Sequence, residues 1–140
     1  MTGTGGDETP GLTKDAGWEL GVRATVPAPL PEVWAWLLGP GLPIWLGDIA
    51  ALPTEKGAAY VTADGVRGTI RSFTPDSRVR LGWQPADWPH ETVLQLTVKE
   101  AVTGTTIGFH QEQLADREER KLLLGHWKAV VATISAQFAG

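Results

Sequence analysis

The chain has 140 residues, no cysteine and a formal net charge of −4. A chain of this length fits one domain, and the lack of cysteine excludes disulfides, thiolate metal sites and a cysteine nucleophile. The acidic balance, with no block of basic residues, argues against nucleic-acid binding, which needs a Lys/Arg surface. No apolar run reaches the roughly 18 residues of a membrane-spanning helix.

Residues 1–16 are rich in glycine, threonine and acidic residues and have no apolar period. This composition predicts a disordered tail, followed by a single domain over residues 17–140. The first ten residues also lack the basic start and apolar centre of a signal peptide. The expected location is therefore the cytoplasm.

A strand and a short helix are predicted to open the domain. Loose alternation of apolar and polar residues over 18–26 predicts the strand, and a proline-rich turn ends it. Pro31 suits the first turn of a helix, where its missing N–H costs nothing, and Gly39-Pro40 stops that helix. Helical spacing places four apolar residues on one side: Val33, Trp34, Leu37 and Leu38. A second short turn is expected over Leu42–Leu46.

A β-meander follows, with five predicted strands: Ala58–Ala63, Val66–Phe73, Arg78–Gln84, Thr92–Val102 and Thr105–Leu114. The pair Asp64-Gly65 is typical of a hairpin turn. Side chains alternate in direction along a strand, so Gln111 shares the face of Ile107 and Phe109 and is expected to point inward. A buried amide must find hydrogen-bond partners or bind a ligand.

A long amphipathic helix is predicted to close the chain. Asp116 begins it as an N-cap, and Glu119 completes a capping box. The helix is expected to run to about Phe138, and it carries an apolar stripe at 3.6-residue spacing: Leu123, Trp127, Val130, Val131, Ile134 and Phe138. The apolar face of the meander is the only large partner for this stripe. The sheet is therefore expected to wrap around the helix and to leave a hollow.

The order of these elements, with the residues that mark them, resembles the helix-grip domains of the START, Bet v 1 and polyketide-cyclase superfamily. The nearest branch is the group named for the Hsp90 ATPase activator homologues. The matching residues run through the chain: Val26, Pro29, Val33, Trp34, Pro40, Trp45, Gly68, Thr69, Ile70, Pro75, Leu81, Gly82, Trp83, Gly104, Thr105, Ile107, Phe109, Gly125 and Trp127. The expected fold is α+β, with a curved antiparallel sheet wrapped around a long C-terminal helix.

Two positions depart from the pattern of this branch. The branch usually has Gly directly before Trp in the last helix, whereas His126 intervenes here. The branch often has a His at the position of Gln111, and here His110 lies one residue earlier, on the opposite face of the strand. A role that depends on that histidine is therefore not carried over.

The resemblance implies an internal cavity rather than one activity, because a fold does not fix a function. Members of the superfamily bind lipids, hormones and polyketides, some cyclise polyketide chains, and some protect the producers of enediyne antibiotics. The first hypothesis is a protein that binds a small hydrophobic or aromatic, polyketide-like ligand. The alternatives are a polyketide cyclase or dehydratase, a resistance protein that sequesters a natural product or is modified by it, and an accessory protein linked to Hsp90.

The candidate ligand-binding residues combine aromatic walls with the few polar side chains that could face a cavity: Trp45, Tyr60, Arg71, Leu81, Trp83, Trp88, Leu96, Phe109, Gln111 and Arg120. Ligand pockets are mostly apolar with few polar groups, and Trp34 and Trp127 are assigned to the core. No serine has the context of a nucleophile elbow. His110 with Glu112 is too small a set for a metal site. No catalytic residue, metal, cofactor or membrane partner is assigned, and a homodimer is left open.

Overall fold

The computed structural model describes residues 12–13 and 17–139. The described residues form seven strands and three helices: β1 (Leu12–Thr13), β2 (Gly17–Val26), α1 (Leu30–Leu37), α2 (Leu42–Trp45), β3 (Ala59–Val61), β4 (Arg67–Thr74), β5 (Arg78–Trp83), β6 (Thr92–Ala101), β7 (Gly104–Leu114) and α3 (Arg117–Gln137). None of these helices is long and apolar enough to cross a membrane. Most of the predicted tail, residues 1–16, lies outside the described residues, although Leu12–Thr13 form a short strand beside β2.

The strands form one antiparallel sheet in the order β1-β2-β7-β6-β5-β4-β3, and α3 lies across its inner face. The helix packs chiefly against β2 and to a lesser extent against α2 and β7, and it buries four residues of its predicted stripe: Leu123, Trp127, Val130 and Ile134. The last residue of that stripe, Phe138, packs edge-on against Trp36 of α1 with ring centroids 5.2 Å apart. The predicted α+β helix-grip architecture is confirmed.

The centre of the sheet buries one face of β5, β6 and β7 under the helices. Leu81 pairs with Leu94, Leu94 with Gln111, and Leu96 with Phe109. Residues that stand directly opposite each other in an antiparallel pair share a face. All five side chains are buried, so Gln111 points inward as predicted. The alternate residues of these strands form the outer face of the sheet.

The β3–β4 hairpin is confirmed, but its loop is longer than the predicted two-residue turn. The backbone N–H of Thr62 donates to the carbonyl of Val66, and the Thr62 hydroxyl accepts from the Val66 N–H. These bonds enclose a three-residue loop, 63–65, in which Gly65 has a φ of +96°. That left-handed conformation costs glycine little. β3 therefore ends at Val61, because the Val66 N–H donates to the Thr62 hydroxyl rather than to a backbone carbonyl.

The N-terminus of α3 is capped as predicted. The Asp116 carboxylate accepts from the backbone N–H of Glu119 at 2.8 Å. The Glu119 carboxylate reaches back and accepts from the backbone N–H of Ala115 at 3.0 Å, one residue before the usual partner in a capping box. The first bond satisfies an N–H group that the start of a helix leaves without a partner, and the second fixes the residue that precedes the N-cap.

Candidate functional site

A chain of three hydrogen bonds crosses the interior from α3 to β5. The Trp127 indole N–H donates to Oε1 of Gln111 at 2.7 Å, and the Gln111 amide donates to the Thr92 hydroxyl at 2.8 Å. That hydroxyl in turn donates to the backbone carbonyl of Trp83 at 2.8 Å. Gln111 is 0% exposed, so its amide depends on these protein partners. These three hydrogen bonds fix the orientation of the Trp127 ring and link α3 to the sheet.

The indole N–H of Trp83 is the exception in this interior. Trp83 is 6% exposed, and of the buried side-chain polar atoms that the structure describes, only its Nε1 has no hydrogen-bond partner. Two indoles flank it: Trp88 meets it edge-on with centroids 5.3 Å apart, and the Trp127 centroid lies 6.4 Å away. An unsatisfied buried donor among aromatic rings is the feature of this fold that most needs an explanation.

The segment between β5 and β6, residues 84–91, covers the Trp83 indole and is called the 84–91 loop below. Its Trp88 stacks on the ring of His90 with centroids 5.7 Å apart. Nε2 of His90 lies 2.9 Å from the Glu119 carboxylate of α3. Glu91 forms an ion pair with Arg71 of β4 at 2.7 Å. The loop is thus tied to both α3 and β4 by polar contacts near the surface.

Four of the predicted ligand-binding residues form the packed core beneath this region. Trp45 donates its indole N–H to the Leu37 carbonyl at 2.8 Å, and its ring lies 5.9 Å from Phe109. Phe109 stacks on Trp127 with centroids 4.8 Å apart and ring planes 18° apart. Leu81 and Leu96 are fully buried on the same face. Ring contacts therefore occupy the centre of the interior, and a direct role of these residues in ligand binding stays a prediction.

Tyr60 is buried and donates its hydroxyl to the Gly82 carbonyl at 2.6 Å. Burial raises the pKa of the Tyr60 phenol well above its ordinary value, and the negative charge of Glu91 adds to the effect. The phenol therefore stays neutral. The carbonyl that accepts this bond belongs to Gly82 of β5, which lies so close to Gly68 of β4 that no side chain fits at position 68.

The two predicted arginines lie outside the interior. Arg71 is 42% exposed and pairs with Glu91. Arg120 donates its Nε–H to the backbone carbonyl of Glu19 at 2.7 Å, which ties α3 to β2. The structure thus brings together Trp83, Trp88 and Gln111 from the predicted set. Sequence reasoning assigned Trp127 to the core alone and missed its indole N–H as the partner of the inward Gln111.

A trough of about 430 Å³ lies on the outer face of the sheet, away from α3. Its lining includes Gly21 and Arg23 of β2, Thr97 of β6, and Gly108 and His110 of β7. The strand register places these five residues on the face opposite to Gln111. This space, called the outer trough below, is separate from the interior cavity that the sequence analysis expected.

Comparison with solved structures places this architecture among helix-grip proteins. DynU16, a protein in the dynemicin biosynthetic locus, is 22% identical with a TM-score of 0.71, over 84% of this chain and 46% of that chain. CalU16 from Micromonospora echinospora is 18% identical with a TM-score of 0.69, over 87% of this chain and 78% of its own. The Aha1 dimer from Colwellia psychrerythraea is 14% identical with a TM-score of 0.67, over 86% and 95% of the two chains.

The chain has the helix-grip fold. The fold that the resemblance implied is therefore confirmed. No family model matches the sequence, and no curated protein matches it. The chain spans less than half of the length of DynU16.

Proposed function

We propose that this protein binds a flat, mainly apolar small molecule that carries an acceptor oxygen, at the Trp83 end of the helix-grip interior. The observation that carries the proposal is the Trp83 indole N–H, which is buried without a partner. Such a donor costs about 1–3 kcal/mol when it is left unsatisfied. A keto or phenolic oxygen of a ligand would accept from it, and the Trp88 and Trp127 rings would contact the ligand's faces and edges.

Access to this site would run through the 84–91 loop. The ion pair between Arg71 and Glu91 joins side chains that are 42% and 38% exposed, and exposed pairs contribute about 0–1 kcal/mol. Opening the loop would break this ion pair and the contact of His90 with Glu119 of α3, and it would leave the packed core around Phe109 in place. A ligand that enters beneath Trp88 would replace contacts of the loop rather than contacts of the core.

Binding is favoured over catalysis by the chemistry of the buried polar groups. The buried polar residues that the structure describes are uncharged and do not titrate near neutral pH: Thr62, Thr92, Thr105 and Gln111. The buried Tyr60 phenol is held neutral. A cyclase or dehydratase needs an inward acid or base. The presence of DynU16 in a biosynthetic locus supports a natural product as the ligand class, and sequestration of that product is a form of the same binding.

The proposal is tested with a pair of probes that differ only in the acceptor. 9-Fluorenone carries a carbonyl oxygen and fluorene does not, while their ring outlines are alike. Fluorenone binding is measured by quenching of tryptophan fluorescence, and fluorene is measured by competition. A single neutral hydrogen bond contributes about 1 kcal/mol, so we expect the protein to prefer fluorenone by about fivefold. In Trp83→Phe this preference falls to about one while fluorene affinity changes little.

The matched control is Trp36→Phe, which removes an indole that packs on Phe138 at the other end of α3. This variant should keep the preference for fluorenone. Equal affinities for the two probes in the unaltered protein would contradict the proposed role of the Trp83 N–H. A preference that survives in Trp83→Phe would contradict it as well.

A further inference from the structure

Three side chains with metal-binding atoms converge on the outer face of the sheet. Glu19 of β2 and His110 and Glu112 of β7 each offer one ligand atom, and these atoms lie within 4.8 Å of one another. Nε2 of His110 is 3.0 Å from Oε1 of Glu19. Two adjacent ligands on a tetrahedral Zn²⁺ ion stand about 3.3–3.6 Å apart when each metal–ligand distance is about 2.0–2.2 Å. The two atoms of this pair are therefore a little closer than two ligands on one ion, and a small side-chain movement would admit the ion.

A β-bulge produces this convergence. Trp18 pairs with Leu114 and Leu20 pairs with Gln111, so two residues of β7 stand opposite Glu19 alone. The extra residue is Gln113, which has a φ of +66°. Bulges redirect side chains and are frequent next to functional sites. Here the bulge sets Glu19 beside Glu112, and strand alternation sets His110 on the same face two residues before Glu112.

The charges around these three residues leave room for a cation. The side chain of Arg80 forms an ion pair with Glu112, so one of the two carboxylates has a basic partner. The carboxylate of Glu19 faces the imidazole of His110, which carries charge only when it is protonated. With neutral His110, the two carboxylates and Arg80 together carry one net negative charge, and Arg23 is a further cation in the wall of the adjoining trough. Arg80 also holds the Glu112 carboxylate in place, which is the usual function of an outer-shell partner in a metal site.

Space for further ligands adjoins the cluster. His110 is part of the wall of the outer trough, whose volume is about 430 Å³. Gly21 pairs with His110, and Gly108 pairs with Arg23. The two positions beside the histidine that carry no side chain are therefore Gly21 and Gly108. Metal sites with three protein ligands and open positions accept water or an exogenous ligand. The trough supplies that opening here.

We propose that Glu19, His110 and Glu112 bind one divalent first-row transition ion, with Zn²⁺ as the test ion. A nitrogen and two oxygens are a donor set suited to Zn²⁺ and its neighbours in that row. The site lies on the opposite face of the sheet from Trp83, so it does not depend on the proposed binding of an apolar molecule. The ion would take the place of the His110 proton in the contact with Glu19 and would bridge that carboxylate to Glu112.

The test is calorimetric titration of tag-free protein with Zn²⁺ at slightly alkaline pH, supported by the visible absorption spectrum of bound Co²⁺. One ion per chain is expected. Loss of an outer-shell partner alone weakens metal binding by about 10–100-fold, so His110→Ala, which loses a direct ligand, should weaken it by more than about 100-fold. Glu19→Gln and Glu112→Gln should weaken it in the same direction. Binding should also weaken as the pH falls, because the imidazole must lose its proton.

The matched control is His126→Ala, which removes a different exposed histidine and should leave Zn²⁺ affinity unchanged. Far-UV circular dichroism confirms that each variant is folded. Absence of Zn²⁺ binding to the unaltered protein would overturn the proposal. It would also be overturned if His110→Ala bound Zn²⁺ as tightly as the unaltered protein, or if both histidine variants lost affinity equally.

Discussion

Replacing Gln111 with leucine tests whether the interior hydrogen-bond chain holds the helix on the sheet. Leucine keeps a similar volume but removes both the acceptor for the Trp127 indole N–H and the donor to Thr92. Trp127 is 0% exposed, so solvent cannot replace the lost acceptor. The Thr92 hydroxyl keeps its own bond to the Trp83 carbonyl and loses only a donor directed at it.

The expected loss of stability follows from the hydrogen bonds that the substitution removes. A buried donor that loses its partner destabilises a protein by about 1–3 kcal/mol, and the Trp127 N–H is one such donor. The loss at Thr92 adds less, because its own donated bond remains. We therefore expect Gln111→Leu to lower the free energy of unfolding by about 2–3 kcal/mol. A phenylalanine at position 127 has no N–H, so Gln111→Leu should cost less in a Trp127→Phe background.

The assay is urea unfolding followed by far-UV circular dichroism, in a double-mutant cycle of Gln111→Leu and Trp127→Phe. The control is Gln137→Leu, which makes the same chemical change at an exposed position near the end of α3 and should change the free energy of unfolding by less than about 0.5 kcal/mol. If Gln111→Leu is as mild as this control, the hydrogen-bond chain does not stabilise the protein. Additive effects of the two interior changes would likewise contradict a direct interaction between Gln111 and Trp127, because the effects of coupled neighbours are not additive.

Three further predictions concern two glycines and one histidine. Gly68→Ala should destabilise the protein by about 1–3 kcal/mol, because a Cβ there would overlap the Gly82 carbonyl oxygen. Gly125→Ala, in α3 with open space around it, should instead stabilise by about 0.5–1 kcal/mol. Burial lowers the pKa of His126. The unfolded chain then binds the proton more readily, so stability should fall as the pH drops below about 6.5, and His126→Gln should reduce that dependence.

Urea unfolding at several pH values checks all three predictions. A Gly68→Ala variant as stable as the unaltered protein would show that β4 and β5 can separate at no cost. The His126 effect should be small, because the ring rests against Trp127 at 4.8 Å while the residue as a whole is exposed. An identical pH dependence in His126→Gln and the unaltered protein would assign the acid sensitivity to other groups.

The architecture could be predicted because it depends on patterns that extend over many residues. Alternation fixes which side of β7 faces inward, and the apolar stripe fixes which side of α3 meets the sheet. The inward direction of Gln111 therefore follows from its position relative to Ile107 and Phe109 alone. Its partner Trp127 could not be predicted in this way, because their pairing depends on where α3 lies along the sheet. An inward amide opposite an indole in the helix stripe is the signal that could have suggested it.

The arrangement of the residues around Trp83 could not be predicted from sequence patterns. The position of Trp88 depends on the path of the 84–91 loop, and that path is set by contacts with two distant residues, Glu119 and Arg71. The face of a strand predicts only the direction of Arg71, not that Glu91 would hold it at the surface. In the same way, the direction of Tyr60 was predictable, whereas its bond to Gly82 depends on the close approach of two strands.

Strand β7 joins the two proposed sites because consecutive residues face opposite sides of the sheet. Gln111 points to Trp127, and His110 points to Glu19. A shift of one residue in register would exchange these directions and place a histidine against Trp127. The sequence alone suggested only the pair His110 and Glu112, since Glu19 is about ninety residues earlier. The bulge between β2 and β7 adds this third residue, and a bulge depends on the local pairing of two distant strands rather than on a period within either one.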